Sequence, residues 1–383
     1  MIQVGIIGIG AISQSHIDGY TAFPQDCRIV ALVDRDVERA KKKIVQSHLK
    51  EAKAYSSLEE MLENCKVDLV SICLPPSLHC ETTVKMLERG IHVLCEKPLA
   101  PTLEECDRML KAAKDSGAVL STVAQNRFKP DVKKVRNLIE SGCLGKILFG
   151  QATSLWWRGT NYYNLSWRGK WETEGGGCTL IHGIHHIDLF LWMMGKVESV
   201  TAVVANEAHD NSEVEDLSMG MVRFVNGSVG NVVSSLLHHG EDQRLLLDGE
   251  YGTAELPLKL AASSQMENGF PEPNEKKLAQ MKEICESVET KYTGHTAQIR
   301  DVLEAIQDNR PVGVSGEDGR RAIEFISAVY QSAFTHQTVH FPMTSKDPFY
   351  SKEGIIKHAV KFHEKTVSID GFQNNEIQVG GTL

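Results

Sequence analysis

Apolar runs of four to six residues alternate with amphipathic segments through the first third of the chain. Such alternation predicts a parallel sheet covered by helices, because buried parallel strands are short and apolar throughout. The predicted strands are Val4–Ile7, Ile29–Val33, Leu69–Leu74, His92–Cys95 and Ala118–Val123. The predicted helices are Ile12–Phe23, Val37–Leu49, Leu58–Asn64, Cys80–Arg89 and Leu103–Ser116. We therefore expect a first α/β domain, with a doubly wound sheet, over residues 1–124.

The pattern changes near residue 125. Strand-like runs joined by tight turns such as Asn226-Gly227 indicate antiparallel neighbours. The predicted strands are Ile147–Leu155, Val200–Asn206, Leu217–Val225, Ser228–Leu237, Arg244–Asp248, Gly252–Leu256 and Val339–Phe341. The predicted helices are Asp131–Ser141, an apolar helix from the triplet 175–177 to Met194, His295–Asn309 and Gly319–Thr335. We expect a second, α+β domain over 125–373, with a large, mainly antiparallel open sheet, and a polar tail over 374–383 that frays.

Composition excludes several classes of protein. The formal net charge of −9 argues against a nucleic-acid partner. No apolar run reaches the roughly 18 residues of a membrane span, and the chain starts on a strand, without a leader pattern. Nine scattered cysteines with no C-x-x-C pair indicate reduced thiols. We expect a cytoplasmic protein without membrane contacts.

A glycine turn follows the first strand. Gly8 permits a tight turn and Gly10 lets the backbone approach a pyrophosphate, while Ala11 and Ile12 open the helix that points its N–H groups at the anion. Ser13 replaces the third glycine of the fingerprint, where a small residue suffices.

Asp34 ends the next strand, at the spacing expected of a carboxylate that binds a ribose 2′-hydroxyl group. This favours NAD. The adjacent Arg35 leaves NADP open, because a guanidinium group can hold a 2′-phosphate.

A second signature, Glu96-Lys97-Pro98, follows the strand His92–Cys95. Ligands of such sheets lie at the carboxyl ends of the strands, so we expect Lys97 near the nicotinamide. In the second domain, the apolar helix carries His182, His185, His186 and Asp188. Their spacing leaves a zinc site open, although we expect none. The aromatic loop 156–163 suits a pyranose or cyclitol, with Arg158 and Tyr163 as candidate substrate contacts and interface aromatics as the alternative.

These segments together resemble the Gfo/Idh/MocA oxidoreductase family. The resemblance rests on motifs that run in the family's order over nearly the whole chain: Gly8-Ile9-Gly10, residues 74–79, Glu96-Lys97-Pro98, residues 125–128, Trp167-Arg168, the triplet 175–177 with His185 and Asp188, and residues 316–320. It implies a Rossmann domain, a C-terminal α/β domain whose sheet makes oligomer contacts in a homodimer or homotetramer, and NAD(P)-dependent redox chemistry on a sugar, cyclitol or related polyol.

The resemblance also implies roles for residues. Lys97 would contact the reacting hydroxyl group and the cofactor, and His185 would be the acid/base. Further cofactor contacts would be Leu74, Pro75, His79, Glu96, Gln125, Trp167 and Arg168. Further substrate contacts would be Arg127 and His182.

One departure from the family is Ile181, where many members carry an acidic residue four positions before the histidine. Either His182 takes part of the acid/base role or the substrate preference differs. Two alternatives remain: an enzyme that cleaves glycosides through transient oxidation by bound NAD, and a non-catalytic cofactor sensor.

Overall fold

The structure, a computed structural model, describes residues 1–372, so the predicted tail 374–383 lies outside the described residues. The chain divides into two compact units. The first unit combines Met1–Phe128 with Lys291–Arg321, and the second combines Lys129–Thr290 with the chain from Ala322 onward. This division differs from the predicted single boundary at 124/125, because residues 291–321 return to the first unit. Gln298 is the clearest link, since its amide group bonds the carbonyl oxygen of Thr122 (2.7 Å) and the N–H of Ala124 (3.0 Å).

The described strands, in chain order, are β1 Ile2–Ile7, β2 Cys27–Val33, β3 Lys53–Tyr55, β4 Leu69–Ile72, β5 His92–Cys95, β6 Leu120–Thr122, β7 Ile147–Trp157, β8 Val197–Ala205, β9 Leu217–Phe224, β10 Val229–Ser235, β11 Leu237–Gly249, β12 Thr253–Leu256, β13 Lys259–Ala261, β14 Ser263–Gln265, β15 Pro271–Pro273 and β16 Val339–His340. The described α-helices are α1 Ser13–Thr21, α2 Val37–Gln46, α3 Leu58–Asn64, α4 His79–Leu87, α5 Leu103–Ser116, α6 Pro130–Glu140, α7 Trp171–Glu174, α8 Ile184–Met194, α9 Glu275–Glu286, α10 Gly294–Asp308, α11 Gly316–Thr335 and α12 Lys352–His358.

The first unit contains a six-stranded parallel sheet in the order β3-β2-β1-β4-β5-β6. This confirms the predicted doubly wound sheet and adds β3, whose three residues carry no apolar run. Two helix starts follow from local chemistry: Ser57 caps α3 by accepting the N–H of Glu60, and Thr102 caps α5 by accepting the N–H of Glu105.

The second unit contains an eight-stranded sheet in the order β13-β12-β11-β7-β10-β9-β8-β16. Its strands pair antiparallel except β7 with β10, which are parallel. The predicted mainly antiparallel sheet is therefore confirmed. Strand β9 alternates buried and outward side chains, and Met219 and Met221 point outward. No helix within residues 1–372 combines the length and the apolar character that crossing a bilayer requires.

Candidate active site

The glycine turn after β1 has the geometry that a dinucleotide requires. Gly8 has φ +91°, and a Cβ there would lie 2.7 Å from the carbonyl oxygen of Cys73, so only glycine fits. At Gly10 a Cβ would meet nothing within 4 Å, which leaves the backbone open to a ligand. The buried Ser13 donates its hydroxyl hydrogen to the carbonyl oxygen of Gly10 (2.7 Å) and so takes the place of the third glycine without strain. Ala11 is exposed and Ile12 half-buried at the start of α1.

Asp34 is oriented by the backbone at the carboxyl end of β2. Its Oδ2 accepts the N–H of Ile9 (2.9 Å), and its Oδ1 accepts the N–H of Asp36 (2.9 Å). Arg39 lies 3.6 Å from Oδ2, whereas Arg35 is exposed. A carboxylate oxygen accepts more than one hydrogen bond, so Asp34 retains acceptor capacity for a ribose hydroxyl group.

Lys97 follows β5 at the same edge of the sheet and is half-buried. The carboxylate of the preceding Glu96 is buried: its Oε2 accepts the N–H of Lys97 (3.2 Å), and its Oε1 lies 2.9 Å from Nε2 of His16. Burial alone would raise the pKa of Glu96, but His16 and the nearby His295 hold it well below its usual range. Glu96 is therefore an anion that fixes the turn carrying Lys97.

His79 joins two turns of the first unit. It is fully buried, and its ring nitrogens contact the carbonyl oxygens of Pro98 and Leu74, each at 2.8 Å. Burial lowers the pKa of His79, so its neutral ring donates through only one of these nitrogens. This contact supports a positioning role, and the cofactor contact of His79 stays a prediction. Pro75, also a predicted cofactor contact, is exposed after the end of β4.

Gln125 and Arg127 lie on one 3₁₀ turn, Gln125–Phe128, and differ in their surroundings. The Oε1 atom of Gln125 is buried and has no hydrogen-bond partner among residues 1–372, which suits a cofactor amide group. The guanidinium group of Arg127 is buried and contacts Asp318 at 3.3 Å. Burial of this ion pair argues against the predicted substrate contact of Arg127.

In the second unit, His182 lies on a π-helical turn, Thr179–Gly183, that precedes α8. The predicted helix from the glycine triplet to Met194 is therefore α-helical only from Ile184, because i→i+5 bonding alters the spacing in the turn before it. Nε2 of His182 lies 3.4 Å from the hydroxyl oxygen of Tyr162, and the two rings are 5.7 Å apart.

Tyr162 also meets Arg168, whose guanidinium group donates a hydrogen bond to the phenol oxygen and lies 4.0 Å from the ring centroid. Burial raises the pKa of Tyr162 to about 12, although the positive charge of Arg168 acts in the opposite direction. Tyr162 therefore keeps its proton at neutral pH and links the guanidinium group to the imidazole ring. The half-exposed Trp167 packs its ring 4.3 Å from the same guanidinium group.

Glu174 holds Arg168 from the other side. Its Oε1 lies 3.4 Å from the guanidinium group, and its Oε2 accepts the N–H of Gly169 (2.6 Å). Burial raises the pKa of Glu174 to about 7, against the opposing effects of Arg168 and this hydrogen bond. This carboxyl group consequently titrates near neutral pH inside the second unit.

The glycine triplet is fixed by a buried carboxylate. The oxygens of Glu215 accept the N–H groups of Gly177 (2.9 Å) and Thr179 (3.0 Å), and Tyr330 donates its hydroxyl hydrogen to Oε1 (3.0 Å). A Cβ at Gly177 would lie 2.0 Å from the carbonyl oxygen of Glu215. This glycine therefore permits the close approach that sets the turn carrying His182.

The remaining histidines lie on α8. His185 is half-buried in its first turn, whereas His186 and Asp188 are buried. Burial lowers the pKa of His186 to about 4, with Lys129 adding to the effect, so this ring is neutral. Within residues 1–372, these side chains do not converge as a metal-binding group; the one trio that does is elsewhere, in the first unit.

The predicted substrate contacts of the aromatic loop differ in accessibility. Tyr163 is 2% exposed, with its ring 5.0 Å from that of His209, which argues against a substrate contact. Its neighbour Tyr162 is the tyrosine that faces His182. Arg158 is half-buried and lies 3.2 Å from Glu241.

Tyr162, Glu174 and Glu215 belong to the site but are not among the residues that the sequence pattern indicates. The first two flank the motif Trp167-Arg168, which was a usable signal, since a half-buried arginine requires partners for its charge. Glu215 lies far along the chain, in the segment before β9, and carries no local signal.

Comparison with known proteins agrees with this geometry. Residues 2–124 match the Gfo/Idh/MocA profile described as an oxidoreductase family with an NAD-binding Rossmann fold, and residues 136–341 match its C-terminal alpha/beta domain.

Among similar proteins, a myo-inositol 2-dehydrogenase of Thermotoga maritima is 26% identical over 84% of this chain and 93% of its own. A D-glucoside 3-dehydrogenase of Escherichia coli is 26% identical over 87% and 96%. The WlbA dehydrogenase of Bordetella pertussis, solved with NADH and UDP-GlcNAcA, is 26% identical, with a TM-score of 0.75 over 90% of this chain and 99% of that one.

Proposed function

The chain belongs to the Gfo/Idh/MocA oxidoreductase family, and from this premise we propose that it is an NAD-dependent dehydrogenase acting on a secondary alcohol of a sugar, sugar derivative or cyclitol. One observation carries the proposal: the glycine turn, Asp34 and Lys97 follow β1, β2 and β5 of one parallel sheet. The carboxyl ends of parallel strands share an edge, where such sheets bind dinucleotides. The myo-inositol and D-glucoside dehydrogenases among the relatives support the substrate class.

The residues at this edge fit a dinucleotide. Gly10 would admit the pyrophosphate, Asp34 would accept a ribose hydroxyl group, and the orphaned Oε1 atom of Gln125 would accept from an amide group. A bound nicotinamide supplies a hydride acceptor for the alcohol carbon. Asp34 favours NAD over NADP, because its buried carboxylate repels a 2′-phosphate.

Lys97 and His185 have complementary proposed roles. Removal of a hydride from a carbinol carbon requires that the hydroxyl proton leave as well. Lys97 polarises the hydroxyl oxygen, and the imidazole of His185 takes its proton, since imidazole titrates near neutral pH. In the reverse direction His185 returns that proton.

His182 takes part of the acid/base role, because Ile181 cannot orient or charge-stabilise His185. The contacts of His182 support this: its Nε2 faces the hydroxyl group of Tyr162, which is bonded to Arg168. This arrangement holds the His182 ring in one orientation, because the phenol keeps its proton and can donate it in a hydrogen bond to the imidazole nitrogen.

The proposal is tested by steady-state turnover with sugars, sugar acids and inositols, supplying NAD and NADP in parallel. We expect Lys97→Ala to lower kcat/KM on the best substrate by at least a hundredfold, because general acid–base and polarising groups contribute about 10²–10⁴. Lys111→Ala, on the surface of the same unit, is the matched control and keeps wild-type turnover. Wild-type kcat/KM in Lys97→Ala would reject the role.

The same assay separates the alternatives. Glycoside cleavage without net NADH formation would indicate transient oxidation, and tight NAD binding without turnover of any compound would indicate a sensor.

We also propose a homo-oligomer formed through the outer face of the eight-stranded sheet. Val203, Met219, Met221 and Val229 of β8 to β10 are 42–68% exposed, and Val203 pairs directly with Met219. Apolar side chains grouped on one face are typical of an interface, and a second copy of the chain is its occupant. In light scattering, Met221→Asp is expected to reduce the molar mass to that of a smaller species. An unchanged mass would exclude this face.

A further inference from the structure

Two imidazole rings and one carboxylate converge inside the first unit. His16 of α1, Glu96 after β5 and His295 of α10 each place one ligand atom within 4.8 Å of the other two. Nε2 of His16 lies 2.9 Å from Oε1 of Glu96, and Nε2 of His295 lies 3.6 Å from the same oxygen. In the described part of the chain, this is the one trio of potential metal ligands that meets this criterion.

The His16 ring is oriented from behind. Its Nδ1 lies 2.9 Å from the hydroxyl oxygen of Ser71, which in turn lies 2.8 Å from that of Tyr20. All three side chains are buried. Metal-binding histidines usually engage their second nitrogen in this way, because the outer hydrogen bond fixes the tautomer and the ring orientation. Nε2 of His16 is therefore the nitrogen directed at Glu96.

His295 supplies an independent observation. Its Nε2 atom is buried and has no hydrogen-bond partner within residues 1–372, and 3.6 Å from Oε1 is beyond hydrogen-bond distance. Leaving a buried polar nitrogen without a partner costs about 1–3 kcal/mol. A ligand that accepts the lone pair of this nitrogen would remove that cost.

We propose that His16, Glu96 and His295 bind a divalent transition-metal ion, with Zn²⁺ as the best match. A tetrahedral zinc ion with bonds of about 2.1 Å separates its ligand atoms by roughly 3.4 Å. The two observed separations, 2.9 and 3.6 Å, lie on either side of that value. Two imidazoles favour zinc over Mg²⁺ or Ca²⁺, which prefer all-oxygen sites. The ion takes the lone pairs of both Nε2 atoms, and any proton shared by His16 and Glu96 leaves to solvent.

The ion would act on the turn that carries Lys97. Glu96 bonds the N–H of Lys97 through Oε2, so an ion on Oε1 would hold both oxygens of this carboxylate. Metal binding does not depend on the proposed redox reaction, and it is measured without any turnover of substrate.

The test uses the full chain freed of metal by a chelator and titrated with Co²⁺, whose visible absorption reports its coordination. We expect one equivalent to give a tetrahedral-type spectrum that Zn²⁺ abolishes. His295→Ala, at the most accessible ligand, is expected to weaken Co²⁺ binding at least tenfold, and Glu96→Gln to do the same. His358→Ala, an exposed histidine of α12, is the matched control and leaves the affinity unchanged.

Circular dichroism is used to check that each variant is folded. If either His295→Ala or Glu96→Gln does not fold, the test rests on the other of these two variants. Absence of a tetrahedral-type spectrum would overturn the proposal. Equal Co²⁺ affinity in wild type and in the folded ligand variant would do the same, and the trio would then be a hydrogen-bonded cluster only.

Discussion

Glu174→Gln is expected to remove a pH dependence of stability from the second unit. The folded-state pKa of Glu174 is about 7, against 4.5 for an ordinary glutamate, because burial disfavours the carboxylate. A raised folded pKa means that stability is fully present below pH 4.5 and is lost as the pH rises through 7. The difference of 2.5 pKa units corresponds to about 3 kcal/mol in the free energy of unfolding, at 1.36 kcal/mol per unit.

The measurement is urea unfolding at pH 5 and at pH 8. All five tryptophans of the chain lie between residues 156 and 192, so their fluorescence reports the second unit. Most of the loss of about 3 kcal/mol falls in this window and should be absent in Glu174→Gln. Glu172→Gln, at an exposed position of the same short helix, is the control and keeps the wild-type dependence. If the free energy of unfolding changes equally in all three proteins between pH 5 and pH 8, the pKa of Glu174 is not raised by burial.

Three further outcomes are expected. Gly177→Ala should destabilise the second unit by several kcal/mol in urea unfolding, because its Cβ would overlap the carbonyl oxygen of Glu215. Gly240→Ala is the control, since the nearest atom to its Cβ would be 3.6 Å away. Equal free energies of unfolding in the two variants would contradict the packing at Gly177. His186 has a folded pKa of about 4, so stability is lost as the pH falls from 6.5 towards 4; His186→Leu should flatten this acid limb, and an unchanged slope would exclude the effect. Asp34→Asn should weaken NAD binding about tenfold in calorimetry, which corresponds to the roughly 1.4 kcal/mol expected for a charged hydrogen bond. It should also reduce the ratio of the NADP Kd to the NAD Kd. Unchanged Kd values would show that Asp34 does not contact the cofactor.

The helices and strands that could be predicted from the sequence are those whose signals lie within a few neighbouring residues. Helices α3 and α5 were predicted with their observed bounds, and their starts were predictable because the N-caps Ser57 and Thr102 precede them directly in the sequence. Strand β3 was missed, since it is short and its position at the sheet edge leaves it without an apolar run. The return of α10 to the first unit was also missed, because the hydrogen bonds of Gln298 join residues more than 170 positions apart.

The residues of the candidate site divide in the same way, into those with a local sequence signal and those without one. The glycine turn, Asp34 and the segment 96–98 were found because each follows a strand whose place in the sheet is given by the alternation of elements. The roles of Tyr163 and Arg127 depended on which side chains are buried, and burial is not local: Tyr163 packs against His209 and Arg127 pairs with Asp318.

By itself, the sequence determined the class of fold, the family and the edge of the sheet at which a dinucleotide would bind, because periodicity, caps and glycine turns act over a few residues. Only the tertiary structure decided which buried groups meet. The link from Tyr162 to Arg168 and Glu174, the hold of Glu215 on the glycine triplet and the convergence of His16 with Glu96 and His295 join distant segments or depend on burial. The pKa values and the binding capacity of such groups depend on their neighbours in space and on exclusion of water, and neither is encoded in local pattern.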